Sequence, residues 1–324
     1  MKAIQFTEFG GPEVLKLVEI EKPKPKPNQV LIEIKAIGVN YADTARREGQ
    51  YVVKTGLPFI PGAEIAGIVV EVGEDVRSVS VGMRVVTLIE SKGYAEYAVA
   101  YEQSLIPIPD EVDFNTAVAL PLQGLSAYHI IKTMGRMERG ETILVHAAAG
   151  GVGTIAVQLA KLFGAGKVIA TASTDEKLTL AKEMGADEVI NYTLPDWEKQ
   201  VLELTNGKGV DVALEMVGGE VFKKTLGCLA TFGRLVIYGV ASGEQSIMYP
   251  SSLMAKNQSV IGFFLPQIMR KPDLLQTSLV ELLQYVGSGK LTLTIGGEYR
   301  LDQAALVHTL LQGRKTVGKL ILVP

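Results

Sequence analysis

The residues best placed to do chemistry lie in one short run, Ile143-Leu144-Val145-His146-Ala147-Ala148-Ala149-Gly150-Gly151-Val152-Gly153. An apolar strand leads into glycines, and a helix is predicted over Val152 to Phe163. The run fits A-x-G-x-x-G, with alanine in the first glycine's place. Gly150 and Gly151 let the backbone approach a pyrophosphate, and Gly153 lets the helix pack tightly on the strand. Free N–H groups and the dipole at the helix start then favour the phosphates' negative charge. A glycine turn alone is only a tight connection. Its place between a buried strand and an amphipathic helix, inside a repeating β-α pattern, points to a dinucleotide.

Which dinucleotide depends on the end of the next strand. About 20 residues past the glycines, a site for NAD carries an acidic residue that holds the ribose hydroxyls. Here that strand reads Val168-Ile169-Ala170-Thr171-Ala172-Ser173-Thr174, without a carboxylate. Nothing there repels a 2′-phosphate, while Ser173, Lys177 and Tyr192 offer a hydroxyl, a cation and a second hydroxyl. Asp175 and Glu176 argue the other way. They also read as first-turn acids favoured by the helix dipole, with Thr174 as N-cap. The expected cofactor is NADPH.

Other chemistries have little to build on. The only cysteine, Cys228, excludes an intrachain disulfide and reads as a buried, inert thiol. Three histidines, His129, His146 and His308, are scattered along the chain and read as helix or strand-end residues. Apolar residues make up 47%, charged residues 21%, and the net charge is −3, with a pI near 5.8. That balance gives no footing to nucleic acid or an anionic membrane. No stretch is apolar over the ~20 residues a membrane span needs, and Met1-Lys2-Ala3-Ile4-Gln5 opens no secretory signal. The expectation is a cytoplasmic protein acting on small molecules.

The elements that must position these residues fall into two textures. To about residue 120, short apolar runs such as Val30 to Ala36, Ala66 to Gly73 and Val81 to Val86 are broken by Gly, Pro and Asp, as in a barrel or sandwich. Residues 116 to 134 are apolar at helical spacing. Strands then alternate with helices: Ile143–His146, Val168–Thr171, Glu176–Met184, Val189–Ile190, Val210–Glu215 and Arg234–Tyr238. That rhythm is an α/β, doubly wound parallel sheet. Helices over Asp273–Val286 and Asp302–Gln312 and a last strand, Gly318–Val323, complete the chain. At 324 residues, two domains are expected.

Several motifs together resemble the medium-chain dehydrogenases/reductases, and within them the quinone oxidoreductases related to zeta-crystallin. They are Gly10-Gly11-Pro12-Glu13-Val14-Leu15, Gly38-Val39-Asn40-Tyr41-Ala42-Asp43, Pro61-Gly62-Ala63-Glu64-Ile65-Ala66-Gly67, the Ala147–Gly153 turn, Gly185-Ala186-Asp187 and Gly318-Lys319. The resemblance covers essentially the whole chain. It implies a Rossmann doubly wound sheet inserted in a GroES-like β-barrel domain, with residues 1–122 and 263–324 in the GroES-like catalytic part and 123–262 binding NADPH. Zinc-dependent relatives carry a cysteine where this chain has the Gly38-Val39-Asn40 segment and a histidine where it has Ala63. Their four-cysteine lobe would lie near Ser91 to Tyr97, which has none. No metal is expected.

The resemblance also assigns residues. Asn40 and Tyr51 are implied beside the nicotinamide and the acceptor as the catalytic pair, Asn40 donating through its amide and Tyr51 through its phenol. By residue type alone Asn40 is a turn residue and Tyr51 a half-buried aromatic. Besides Gly150, Gly151, Val152, Ser173, Lys177 and Tyr192, the implied cofactor set comprises Ser126, Val217, Tyr238, Gly239, Val240, Phe263, Phe264 and Leu265. Lys319 either reaches the cofactor or is a solvated edge lysine, and Gln123 is a further candidate. A homodimer is implied, pairing Rossmann-sheet edges at Arg234–Tyr238 or a neighbour.

Hydride addition to a carbonyl system puts negative charge on oxygen. Conjugation in a quinone or enone spreads that charge, so neutral donors suffice without a metal. The expected activity is NADPH-dependent reduction of a quinone or related conjugated carbonyl. A 2-alkenal or enoyl reductase, and a cofactor-binding protein with little turnover, remain open alternatives.

Overall fold

Strand β3 (Gln29–Val39) organises the first of two units, and its near-continuous apolar sequence has a structural cause. The computed structural model describes all residues, Met1–Pro324. A short antiparallel ladder, β1 (Lys2–Gln5) with β2 (Lys16–Glu19), precedes β3. Helix α1 (Tyr41–Arg47), β4 (Glu64–Val72), β5 (Arg84–Leu88), β6 (Tyr97–Tyr101), β7 (Leu105–Pro107) and α2 (Phe114–Val118) follow. β3 is hydrogen-bonded to β4 along one edge. Its other edge is shared, β6 covering Gln29–Glu33 and the chain's last strand covering Ile37–Val39. Apolar clusters pack on it, one containing Ile32, Ile34 and Val39 and another Ala36. Polar alternation is confined to Glu33 and Lys35, which share one face and pair at 2.6 Å, while the rest of the strand is enclosed and apolar apart from its first residue, Gln29. The sequence predicts a strand over Val81–Val86, but Gly82, at φ +93°, turns the chain there and β5 begins at Arg84.

The predicted helix over 116–134 is instead two helices. Pro121 lacks an N–H and opens α3 (Pro121–His129) at a first-turn position, where none is needed. After a π-helical turn (Ile130–Met134) the alternation begins: β8 (Thr142–Val145), α4 (Gly151–Leu162), β9 (Lys167–Ala172), α5 (Asp175–Glu183), β10 (Glu188–Asn191), α6 (Trp197–Leu204), β11 (Val210–Glu215), α7 (Gly219–Gly227), β12 (Leu229–Ile237) and β13 (Ser259–Gly262). These six strands form one parallel sheet in the order β10-β9-β8-β11-β12-β13. The order reverses between β8 and β11. In such sheets ligands bind beyond the strands' C-terminal ends at that point. β12, which contains the predicted dimer strand Arg234–Tyr238 up to Ile237, lies inside the sheet between β11 and β13 and offers no edge. The outer strand is its neighbour, β13.

Helices α8 (Leu265–Met269) and α9 (Pro272–Gly287) follow, and then β14 (Ile295–Arg300), α10 (Ala304–Gln312) and β15 (Lys319–Val323). β14 and β15 extend the sheet of the first unit, in the order β14-β15-β3-β4-β5-β7. The chain divides into Met1–Leu122 with Thr294–Pro324, and Gln123–Leu293. The sequence reading sends 263–293 to the β-unit. The structure keeps this stretch with the parallel sheet, because α9 is tied to the helical turn before β8. His129 Nε2 lies 3.1 Å from Ser278 Oγ, and Glu281 accepts from Tyr128 Oη at 2.6 Å and Lys132 Nζ at 2.9 Å. No helix is long and apolar enough to cross a membrane.

Leu282 on α9 is fully enclosed, whereas Val280 is 49% exposed. Leu282→Ala is therefore expected to cost about 2–5 kcal/mol in urea unfolding. Val280→Ala should cost about 0.5 kcal/mol. Equal losses would contradict the packing of α9.

Candidate active site

β8 ends at Val145, and the backbone crosses to α4 through a turn in which Ala147 adopts the left-handed region, φ +49°. Ala148 N–H is taken by Thr171 O at 3.0 Å and Gly150 N–H by Ala147 O at 2.9 Å. Gly150 is the N-cap of α4, without a side-chain cap. The N–H groups of Gly151, Val152 and Gly153 follow at the start of the helix, beyond the reach of intrahelical acceptors. Gly153 is needed for close approach: a Cβ there would run into the Ala147 carbonyl oxygen and stand 2.7 Å from Ala148 Cα. At Gly151 the obstacle is different, since a Cβ would meet the carboxamide of buried Gln123. The close packing read for Gly153 is therefore present, at the switch point of the sheet.

At the end of β9, Ala172 pairs with Asn191 of β10. Tyr192 N–H donates to Ala172 O at 3.1 Å, which brings Tyr192 alongside Ser173. Thr174 caps α5, its hydroxyl oxygen accepting from Lys177 N–H at 3.4 Å. Lys177 therefore sits in the first turn of α5, four residues after Ser173. Glu176 serves the same cap, since its own N–H and the Thr174 hydroxyl hold its carboxyl below the usual range. The two acids of this turn behave as helix-start residues.

The remaining cofactor candidates of this unit lie at the same edge of the sheet, with one exception. Glu215 ends β11, and its Oε1 accepts from Val217 N at 2.7 Å and Gly218 N at 3.0 Å. Burial raises its carboxyl's pKa, and these N–H groups oppose the rise. Tyr238 N–H donates to Glu215 O at 3.0 Å, and Phe263 N–H to Ile237 O at 2.8 Å. Val217, Tyr238, Gly239, Val240 and Phe263 thus follow the ends of three adjacent strands. Phe264 caps α8, and the Leu265 side chain is buried, leaving only its backbone for a ligand. Ser126 is the exception, buried within α3.

In the β-unit, Asn40 sits in a buried polar network. Its side chain is 4% exposed, and Nδ2 donates to Gly38 O at 3.1 Å and to Glu64 Oε2 at 3.2 Å. Its Oδ1 accepts from Lys319 Nζ at 2.8 Å, and Lys319 also pairs with Glu64. The sequence reading makes Asn40 an amide donor to the acceptor. In the structure both amide hydrogens are spent inside the unit, because Lys319 fixes the orientation of the carboxamide. The reading of Lys319 as a solvated edge lysine is also overturned. It is 1% exposed on a strand flanked by β14 and β3, with its ammonium held by Asn40 and Glu64.

The network extends through Asp43, which sequence reasoning left unused. Its carboxylate accepts from Asn40 N at 2.9 Å, Gly62 N at 3.3 Å and Tyr94 Oη at 3.2 Å. Burial pushes its pKa up to about 6, against the pull of these donors and of Lys319. Tyr94 Oη is 3.1 Å from His308 Nε2, whose Nδ1 is 3.2 Å from Arg47 Nη1. Asn40 and Asp43 form a reciprocal cap at the start of α1, a spacing visible in the sequence. Tyr51 lies beyond that helix, half-buried, with the Arg46 guanidinium 4.1 Å from its ring centroid.

No group of three or more His, Cys, Asp or Glu side chains is placed to hold a metal ion. Each histidine is engaged at both nitrogens: His129 by Thr133 and Ser278, His146 by Thr171 and Thr225, and His308 by Tyr94 and Arg47. Cys228 is buried, and burial pushes its thiol up to about 12.

Comparison with known proteins agrees with this construction. Residues 26–110 match the alcohol dehydrogenase GroES-like domain and residues 151–282 the zinc-binding dehydrogenase domain. The chain is 38% identical over its whole length to the quinone oxidoreductase of Pseudomonas aeruginosa, covering 99% of that protein. Among solved structures, the quinone oxidoreductase of Pseudomonas syringae pv. Tomato DC3000 is similar at a TM-score of 0.94 and 40% identity, with 100% of this chain and 99% of that one covered. Escherichia coli quinone oxidoreductase complexed with NADPH is similar at 0.95 and 34%, over 100% of both chains. The protein belongs to the quinone oxidoreductase family of the medium-chain dehydrogenases/reductases.

The buried histidines make stability depend on pH. Burial holds His129 and His146 down at about 4 and, with the Arg47 charge, His308 at about 3, whereas an unfolded histidine titrates near 6.5. Between these values the unfolded chain binds more protons, so their contribution is complete above about pH 6.5 and is lost as pH falls toward 4. Asp43, raised from 3.8 to about 6, and Glu215, also raised by burial, act in the opposite sense as two groups against three. The urea midpoint is expected to fall between pH 7 and pH 5, and by less in His146→Asn. A midpoint rising over that interval would contradict the buried neutral state.

Proposed function

We propose that this protein is an NADPH-dependent, zinc-independent quinone oxidoreductase that reduces quinones or related conjugated carbonyls. The observation that carries the cofactor reading is the end of β9: neither Ser173 nor Thr174, the residues directly after Ala172, is a carboxylate, while Ser173, first-turn Lys177 and Tyr192 follow the ends of the neighbouring strands β9 and β10. A cation with two hydroxyl donors suits a 2′-phosphate, and the N–H groups of Gly151 and Val152 suit the pyrophosphate. The NADPH-bound E. coli relative supports the same assignment.

When bound, NADPH supplies the hydride. The protein's own residues bind it, orient it and stabilise charge on the acceptor oxygen. With both amide hydrogens of Asn40 directed to Gly38 and Glu64, Tyr51 is the donor proposed for that oxygen, and Asn40 and Lys319 serve to shape the wall around it. The donor set does not suit zinc, since the Gly38-Val39-Asn40 segment and Ala63 stand where zinc-dependent relatives carry ligands. We place the enzyme in the cytoplasm as a homodimer, with the outer strand β13 of each copy pairing across a two-fold axis. The exposed Ile247, Tyr249 and Met254 before that strand support a covered edge.

The test is oxidation of NADPH, followed at its nicotinamide absorbance, against a panel of quinones and enones. Turnover with quinones, undiminished by a chelator and with no stoichiometric zinc in the protein, is expected. Binding of NADPH with no acceptor turned over would indicate a cofactor-binding protein instead. Lys177→Ala should weaken NADPH by about 10- to 100-fold, the value of a lost charge-assisted contact, and NADH far less. Equal weakening of both would remove the phosphate assignment.

A further inference from the structure

Tyr51 lies outside any helix or strand, in a segment where Val52 is 82% and Val53 46% exposed. A donor must nevertheless be held at a fixed distance from the atom it serves. The contacts around Tyr51 suggest how. Phe6, buried at 1% exposure, packs against Phe59 with ring centroids 5.6 Å apart. The Arg46 guanidinium lies 5.4 Å from the Phe59 ring and 4.1 Å from the Tyr51 ring. A row therefore runs from the core, Phe6–Phe59–Arg46–Tyr51, and its only charged member is next to the phenol.

Arg46 is itself fixed from behind. Its neighbour Arg47 is fully buried, with Nε donating to Gly10 O at 3.0 Å and Nη2 to Gln312 Oε1 at 2.8 Å. The start of the same helix is held by the Asn40–Asp43 cap. The last turn of α1 thus has little freedom to rotate, and Arg46 is directed toward the aromatic rings.

We propose that Arg46 is a positioning residue for Tyr51, holding the ring by its face and strengthening the phenol as a donor to the acceptor oxygen. This rests on the reading of Tyr51 given above. A planar guanidinium stacks on an aromatic face and keeps its charge at every working pH. That charge acts through the phenol it holds, making the hydroxyl a stronger donor as negative charge develops on the acceptor oxygen, so its effect should grow in the transition state. Burial raises the phenol's pKa, and the charge and hydrogen bond of Arg46 counter that rise, in the direction of a better donor. Asp43, also near, acts in the opposite sense.

The experiment is a double-mutant cycle on the holoenzyme with one quinone acceptor, using Tyr51→Phe, Arg46→Met and the pair, together with Arg46→Lys. Tyr51→Phe is expected to lower kcat by about 10-fold or more, as loss of an oxyanion donor does. Arg46→Met should lower kcat by about 3- to 10-fold, the range of a partly desolvated cation–π contact, with KM for NADPH unchanged. In the Tyr51→Phe background it should add almost nothing, and Arg46→Lys should recover most of the loss. If Tyr51→Phe leaves kcat intact, the reading of Tyr51 fails and the proposal with it. If Tyr51→Phe lowers kcat but Arg46→Met has no effect, or an equal effect in both backgrounds, the positioning role is overturned while the donor stands. Should Arg46→Met not fold, Arg46→Gln takes its place: a kcat loss confined to the Tyr51 background supports the proposal, and an equal loss or none in both backgrounds overturns it.

Discussion

Gly153 has room for a hydrogen and nothing larger, because the backbone of Ala147 and Ala148 lies against it. This contact sets how closely α4 approaches the end of β8. It also fixes where the first N–H groups of that helix point. Everything proposed for the cofactor depends on it, since phosphates are held by backbone groups that must be brought within hydrogen-bond reach. The strain of the crossing falls on Ala147, a residue with a Cβ in the left-handed region, which costs on the order of 1 kcal/mol. The parallel strands on either side keep the turn in place.

The β-unit solves a different problem. Lys319 and Glu64 are both almost wholly removed from water, and such a pair is maintained only when its other hydrogen-bonding capacity is met. Asn40 and the Leu122 N–H, which donates to Glu64 Oε1 at 2.6 Å, meet it. Gly38 leaves the space, since a Cβ there would collide with Glu64 and stand 2.7 Å from Lys319 Cε. The Gly38-Val39-Asn40 segment and the Gly318-Lys319 pair therefore belong to one construction. The first supplies space and an oriented amide, and the second supplies the cation that orients it.

Features built from neighbours in sequence were readable in advance. The glycine turn, the Thr174 cap and the acids after it are local, and their physics is contained in a few residues. The Rossmann strands were readable because strands buried on both faces are continuously apolar. What failed was long-range. Lys319 meets Asn40 across 279 positions, and no spacing rule signals that an apparent edge lysine will be buried. The amide of Asn40 reads as available because its partners, Glu64 and Lys319, lie 24 and 279 positions away in sequence. The amphipathic pattern of α9 identified a helix but gave no address. That address comes from Ser278 and Glu281 meeting His129, Tyr128 and Lys132. Arg46 escaped notice because an arginine on a short helix reads as solvated until the rings around it are seen.

The central claim is that the 2′-phosphate of the cofactor is gripped at the end of β9. Its most direct measurement is calorimetric binding of two fragments that carry no nicotinamide, 2′,5′-ADP and 5′-AMP, at low and high salt. The account predicts that 2′,5′-ADP binds about 10-fold or more tightly, with a preference that shrinks as salt screens the Lys177 charge. Equal affinity for the two fragments, or a preference for 5′-AMP, would contradict it.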